Sequence, residues 1–355
     1  MDEVPEAREI SEETLAEMVR VAESGWELQA AMPAERGFCS VYRVVVARNE
    51  TTRERYVKAS PDGRAWAIPT EARVQAVLDA HTSIPVPEVL GVVDDHESLP
   101  TPYYLMSALP GADVAYERVC RLEDDALERL ARETGRYLAE LHSVPAVDGF
   151  GHVRHDGPAL VGGRPDGDPE ALTVEEPREE WQTYLRDYVG RELERHADSR
   201  FSDLTLELRR WFEAGIDELT GPFEPVLGRN DHGLHNLLVD PDTGEITAML
   251  DWGYTLAVPA AFDVEFAVYL FGGAFLAGLP DVSDRHPLVR EAMCSGYRAA
   301  TPDGTTVQPP EPLYEALAMV RIMNDFNHLA VPGGPDAAAA VRARIESDVR
   351  AILER

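Results

Sequence analysis

A change of character at Leu109-Pro110-Gly111 constrains this chain more than any other feature. Before it, short runs that are β-branched or alternate in polarity predict five strands, over 26–32, 41–48, 55–60, 89–93 and 103–108. The polar stretch Asn49-Glu50-Thr51-Thr52 joins the second and third as a hairpin. A helix over 68–81 is inserted among them, and an amphipathic helix over 10–22, with Ser11 as its N-cap, precedes them. After Gly111 helical spacing takes over: Leu127, Leu130, Ala131, Leu138 and Leu141 share one face of 124–142. Further helices are expected over 181–195, 201–219, 261–271, 287–298, 311–329 and 336–353. A hairpin over 236–239 and 246–250 interrupts them, and 152–177, rich in Gly, Pro and Asp, predicts a long loop.

The charge is lopsided, with 64 acidic residues against 33 Lys plus Arg. Phosphate backbones need a basic face, so nucleic acid is not expected as a partner. The acids are spread along the chain, which fits a solvated surface suited to concentrated salt better than an acidic cleft for a polycation. In this the composition resembles proteins of halophilic archaea. The start Met1-Asp2-Glu3-Val4-Pro5 lacks the basic residues of a secretory signal. The apolar stretch 266–279 is broken by Gly272 and Gly273 and reads as shorter than the roughly 20 residues a bilayer crossing needs. A cytoplasmic protein without a membrane partner is therefore expected. Cys39, Cys120 and Cys294 are odd in number and far apart, which points to neither a disulfide framework nor a thiolate metal site.

Of the 33 basic residues, Lys58 alone is Lys. A compact ammonium on a flexible stem suits a single phosphate contact in a tight site, where the broad fork of Arg does not fit. Chance retention in an Arg-biased chain is the competing explanation.

The densest polar signal is Asn230-Asp231-His232-Gly233-Leu234-His235-Asn236, followed after the hairpin by Asp251-Trp252-Gly253. An Asp, an Asn five residues on, and an Asp at the end of the next strand can converge on one point. Phosphoryl transfer uses such a set: a carboxylate and an amide oxygen for Mg²⁺, and a second carboxylate to orient the attacking hydroxyl. Two alternatives stay open. Asp231 and Asp251 can be ordinary turn residues, and His232 with His235 can belong to a metal-dependent hydrolase built on Asp231, His232, His235 and Asp251.

Asp231-x-Gly-x-His-Asn236, with Asp251-Trp252-Gly253 downstream, resembles the aminoglycoside phosphotransferase and choline kinase-like superfamily. Val57-Lys58 is similar to that family's nucleotide lysine on its third strand, and Glu71 to the lysine's partner. Ile84 through Val89, and Leu105-Met106 through Gly111, resemble the stretch leading to its interlobe hinge. Gly135 through Ser143 resembles the first long helix of the large lobe, and Asp263 and Ala267 match the helix after the metal-binding Asp. The resemblance runs from about residue 26 to 270.

It implies an α+β, bilobal, protein-kinase-like fold. Residues 1–108 would form a nucleotide-binding lobe with a five-stranded antiparallel sheet and one main helix, and residues 109–355 a larger, mainly helical lobe. It also implies ATP or GTP and Mg²⁺ as cofactors. Asp231 would be the catalytic carboxylate, Asn236 and Asp251 the Mg²⁺ ligands, and Lys58 the contact to the α- and β-phosphates, paired with Glu71. Backbone from Met106 to Leu109 would meet the nucleobase edge, and Ser40, with amides near Gly37, the phosphates. Arg229 departs from the pattern, standing where the family usually has His, and Arg36-Gly37-Phe38-Cys39-Ser40 carries one glycine where a phosphate loop usually has more. The expected activity is O-phosphorylation of a small-molecule hydroxyl, with aminoglycosides, choline, sugars and amino-alcohols as the acceptor classes. A nucleotide-binding pseudokinase is the non-enzymatic alternative.

Overall fold

Alternation of apolar and polar side chains along 40–48 puts Tyr42, Val44 and Val46 on one face, and that face becomes the inner layer of a sheet. The computed structural model describes residues 9–34, 39–60, 67–145, 147–301, 311–329 and 331–354. Two compact units emerge from its packing. The first comprises Met1–Pro110, Val153–Thr173 and Ala248–Thr255; the second comprises Gly111–His152, Val174–Thr247 and Leu256–Arg355. The sequence reading placed one boundary between 108 and 109, whereas the chain passes between units at 110 and then returns twice to the first.

In the first unit, β1 (Glu27–Pro33), β2 (Ser40–Arg48), β3 (Thr51–Ala59), β4 (Val89–Val93) and β5 (Tyr103–Ser107) form an antiparallel sheet in the order β1-β2-β3-β5-β4. β3 starts four residues earlier than its polarity pattern indicates. The hairpin loop is only Asn49-Glu50, because Arg48 lies opposite Thr51. Asn49 takes φ 55°, the left-handed conformation that lets a two-residue loop follow the strand twist. The exposed first half of β3 has no buried face to betray it in the sequence.

Helix α1 (Glu12–Ala22) is capped as its sequence predicts, with the Thr14 amide donating to Ser11 Oγ at 3.2 Å. It lays Leu15, Met18, Val19 and Ala22 into the core beneath β2, β3 and β5. Helix α2 (Ala67–His81) buries Ile68 and Ala72 with Val89, Val92 and Tyr104. The same helix carries Arg73, whose guanidinium forms a fork-to-fork pair with Asp94 at 2.8 and 2.6 Å. Asp94 also accepts the Leu160 amide at 2.6 Å, and Gly162 and Gly163 donate to Val92 and Ala22 carbonyls. These bonds tie 153–173, read from sequence as part of a long loop, into the first unit.

The second unit is built from α3 (Tyr116–Val119), α4 (Asp124–Ser143), α5 (Trp181–Ala197), α6 (Thr205–Glu218), α7 (Ala260–Phe271), α8 (His286–Ala300), α9 (Pro312–Asn324) and α10 (Gly334–Leu353). Gly135 on α4 and Gly296 on α8 let these two helices meet backbone to backbone. A Cβ at Gly135 would overlap the Met293 carbonyl, and one at Gly296 the Arg132 carbonyl. Trp181, Phe262 and Tyr314 stack edge to face beneath α5, and the Trp181 indole donates to the Tyr314 hydroxyl at 2.8 Å.

Short strands complete the fold: β6 (Ala112–Asp113), β7 (Gly151–His155), β8 (Leu172–Val174), β9 (Val226–Gly228), β10 (Leu237–Val239), β11 (Ile246–Met249) and β12 (Leu256–Val258). β10 pairs antiparallel with β6, and β12 with β9. The turn after β10 closes through the Gly244 amide on the Asp240 carbonyl at 2.9 Å.

The apolar stretch is longer than the sequence reading allowed. Ala260–Gly278 spans 19 residues at mean hydropathy 1.5, enough by length and composition to cross a bilayer, yet 78% of its apolar window is buried inside the fold. It leaves the α-helical path at Gly272, as the paired glycines imply.

Candidate active site

Lys58 lies in the second half of β3, with its neighbours Val57 and Ala59 in the core. Its ammonium donates to Glu71 Oε1 at 2.8 Å and to Asp251 Oδ1 at 3.2 Å. Glu71 is placed by α2, one turn into the helix, and is 1% exposed. Gln75, one turn further on, joins Glu71 and the Tyr104 hydroxyl in the same buried cluster. Burial alone would lower the Lys58 pKa, but Asp251 and Glu71 outweigh it and hold the ammonium charged well above its ordinary range.

Asp251 follows β11 in a left-handed conformation, φ 64°, that turns its carboxylate back to Lys58. Two bonds hold the segment that carries it: the Met249 amide donates to the Pro85 carbonyl at 2.7 Å, and the Trp252 indole to the Met249 carbonyl at 2.9 Å. The Asp251 side chain is 46% exposed, so it can hold Lys58 and still offer oxygen to a hard cation. Ser40 is buried at the start of β2, opposite Ala59. Met106 sits within β5, and the Ser107 amide is taken by the Glu88 carbonyl at 2.9 Å. Of the expected nucleobase segment, only Ala108 and Leu109 lie past the strand end. Arg36, Gly37 and Phe38, the rest of the expected phosphate loop, lie outside the described residues.

Asp231 and Asn236 stand in the second unit, on the loop between β9 and β10. The loop is organised by Asp263 of α7, which is fully buried. Asp263 Oδ1 accepts the Arg229 amide at 3.0 Å, the Asn230 amide at 3.3 Å and His232 Nε2 at 2.8 Å, while Oδ2 receives His142 Nε2 at 3.1 Å. Burial pushes the Asp263 pKa up, but the two histidines and their hydrogen bonds prevail and hold it below the usual carboxylate range. Arg229 is also buried, and its guanidinium approaches the Asn236 carbonyl at 3.4 Å, spanning the loop from first residue to last.

The Asp231 pKa is lowered as well. Burial opposes this, and His235, Arg321, Arg229 and a hydrogen bond from Asn236 outweigh burial. An ionised carboxylate at neutral pH is what a hydroxyl-orienting group needs.

The structure thus gathers Lys58, Glu71 and Asp251 in one unit and sets Asp231 and Asn236 on one loop of the other. It does not support the hydrolase alternative at His232, whose ring is turned into the Asp263 cluster. Among the described residues no group of three or more His, Cys, Asp and Glu is placed to hold a metal ion. Carboxylate and amide oxygens, as at Asp251 and Asn236, are the donors a magnesium ion takes, a chemistry distinct from that of zinc. Three residues that hold the loop had been given no role: His142, Asp263 and Arg321. The first two lay inside matched motifs, and Arg321 carried no signal beyond its place in an amphipathic helix.

A five-stranded sheet whose lysine pairs with a glutamate of the inserted helix, in a chain that continues into a helical unit with an Asp-x-Gly-x-His-Asn loop, defines a protein with the protein-kinase-like phosphotransferase fold. Residues 37–302 match the Phosphotransferase enzyme family, and the chain belongs to that family. Its fold is similar to a Ralstonia eutropha protein assigned to the aminoglycoside phosphotransferases, at TM-score 0.64 and 14% identity over 98% of this chain and 99% of that one. It is also similar to aminoglycoside phosphotransferase APH(4)-Ia with AMP-PNP and hygromycin B, at TM-score 0.52 and 17% identity over 96% and 97% of the two chains. The GDP complex of aminoglycoside 2'-phosphotransferase-IIIa matches at TM-score 0.54 and 15% identity, over 92% and 94%. By sequence, 224 residues are 28% identical to acyl-CoA dehydrogenase family member 10 of Mus musculus, and the match covers 61% of this chain but only 18% of that much longer protein.

Proposed function

We propose that the protein transfers the γ-phosphoryl group of ATP or GTP to a hydroxyl of a small molecule, in a Mg²⁺-dependent reaction. The observation that carries this reading is the Lys58 ammonium held between Glu71 at 2.8 Å and Asp251 at 3.2 Å. A charged, tethered ammonium is suited to the α- and β-phosphates, and Glu71 fixes it without consuming all its donors. Ser40 and the backbone past Met106, as far as Leu109, are assigned to phosphate and nucleobase. Asp231, ionised by its basic neighbours, orients the acceptor hydroxyl and takes its proton as the new oxygen–phosphorus bond forms and the γ-phosphorus bond to the β-phosphate oxygen breaks, releasing the nucleoside diphosphate. Asn236 and Asp251 would hold the Mg²⁺, which when bound neutralises charge on the phosphate oxygens. Positioning and charge do most of this chemistry. Support comes from the family and from the nucleotides and aminoglycosides that the similar structures hold. The acidic surface belongs to the same reading, as an adaptation to concentrated salt.

Thermal scans in molar salt with Mg·ATP and with Mg·GTP test the reading. A ligand at 100 times its Kd should add about 2.7 kcal/mol of stability and raise the melting temperature. A mass-spectrometric panel of aminoglycosides, sugars, choline and amino-alcohols then reads gain of one phosphate. Absence of a shift with either nucleotide would refute the proposal.

A further inference from the structure

Asn230, immediately before Asp231, adopts φ 64° without being glycine. The Asp231 amide reaches back to the Arg229 carbonyl at 2.8 Å, closing a three-residue turn centred on Asn230. With positive φ at its centre, this is the rarer and more strained hand of such turns, a conformation that persists only when its surroundings over-determine it.

Three helices supply that restraint. Asp263 of α7 takes the Asn230 amide. Tyr188 of α5 donates its hydroxyl to Asn230 Oδ1 at 3.2 Å. Arg321 of α9 makes the closest contacts, with Nη1 at 2.7 Å from the Asn230 carbonyl oxygen and 2.7 Å from its Oδ1. One nitrogen with two hydrogens therefore locks both the backbone and the side chain of a single residue.

We propose that Arg321 is a positioning residue that sets the direction of Asp231 by clamping Asn230 in its left-handed turn. This rests on the phosphotransferase reading, in which Asp231 faces the acceptor hydroxyl. If the clamp is removed, the turn can relax to an ordinary conformation and Asp231 shifts with it. A displacement of about 1 Å at a reacting group costs on the order of 10²-fold in rate. Lys58, Glu71 and Asp251 lie in the other unit, and Asn236, at the far end of the loop, keeps its own bonds to Arg229 and to the Gly233 carbonyl.

The test compares wild type, Arg321→Met and Arg321→Lys. Steady-state transfer, or slow nucleotide hydrolysis by water, should show kcat lowered on the order of 10²-fold in the Met variant with the nucleotide KM within a few-fold of wild type. Arg321→Lys should recover a large part of the loss, because both bonds come from one nitrogen that an ammonium can replace. Hydrogen exchange should quicken in the peptide covering 227–236. Wild-type kcat in a folded Met variant, or unchanged exchange over 227–236, overturns the proposal, as does loss of kcat and nucleotide affinity together. Arg321→Gln, too short to reach both oxygens, should behave as the Met variant and replaces it if that variant does not fold. If wild type neither transfers nor hydrolyses, the phosphotransferase reading fails instead, and the exchange comparison still decides whether Arg321 clamps the loop.

Discussion

Replacing Asp263 by Ala should be among the most destabilising single changes in the second unit. The carboxylate receives two backbone amides and two imidazole nitrogens, and it is fully buried. Each buried donor left without a partner costs about 1–3 kcal/mol, and breaking a buried charged cluster costs about 3–5 kcal/mol. A loss of about 4 kcal/mol follows, which at a urea slope of roughly 2–3 kcal/mol/M moves the unfolding midpoint down by about 1–2 M.

Asp263→Asn should cost less, about 1–2 kcal/mol. Its remaining carbonyl oxygen can keep the three donors that converge on Oδ1, and its amide can donate to His142. That ring can change tautomer and donate from Nδ1 to the Tyr297 hydroxyl, 2.9 Å away.

The pH dependence follows from the depressed pKa. A carboxylate with its folded pKa below its unfolded value of about 3.9 contributes stability that is complete above that value. The contribution is lost as pH falls towards the folded pKa, so the gap between wild type and Asp263→Asn should narrow below about pH 4. Urea titrations in molar salt at a series of pH values provide the measurement. An Ala variant with its midpoint within about 0.3 M of wild type would show that the four bonds contribute little net stability, and the account of the loop would fall with them.

Lys58→Ala should abolish measurable transfer, and Lys58→Arg should restore only a small part of it, because a guanidinium cannot reproduce one compact contact shared with Glu71; full activity of the Arg variant in a steady-state assay refutes this. Asp231→Asn should lower single-turnover transfer or hydrolysis by about 10²–10⁴-fold while leaving nucleotide affinity nearly intact. Asp251→Asn should instead weaken nucleotide binding and raise the Mg²⁺ concentration required. Nucleotide titrations at several Mg²⁺ concentrations separate the two, and the reverse pattern would exchange their roles.

Lys58 stood out in the sequence because an almost lysine-free chain isolates it, whereas Glu71, 13 residues on, was singled out only through the family resemblance. The five strands and the long helices were legible through periodicity, with ends displaced by a few residues. β6 and β9, of two and three residues, are shorter than a full pattern, and their pairing partners are distant in sequence. The same limit hid the loop's supports. Nothing local in Ala-Met-Val-Arg-Ile-Met distinguishes an arginine that grips Asn230, 91 residues away, from one that faces water. Residues 153–173 misled for a related reason: their composition is that of a loop, and the bonds that tie them to Ala22, Asp94 and Val92 are made to residues far upstream.

The two returns of the chain to the first unit bear on its biosynthesis. Lys58 and Glu71 leave the ribosome early, but the Asp251 segment that completes their cluster follows about 140 residues after Pro110. At roughly 5–20 residues per second, the N-terminal sheet waits about 7–30 s for its last piece. Through that interval Glu71 is the partner already available to Lys58, and the surface awaiting 153–173 and 248–255 is open to solvent and to chaperones. A nascent chain stalled before Ala248 would hold the sheet but not the Asp251 segment, and a gene split at residue 110 would leave the first unit divided between two products while the second stayed whole.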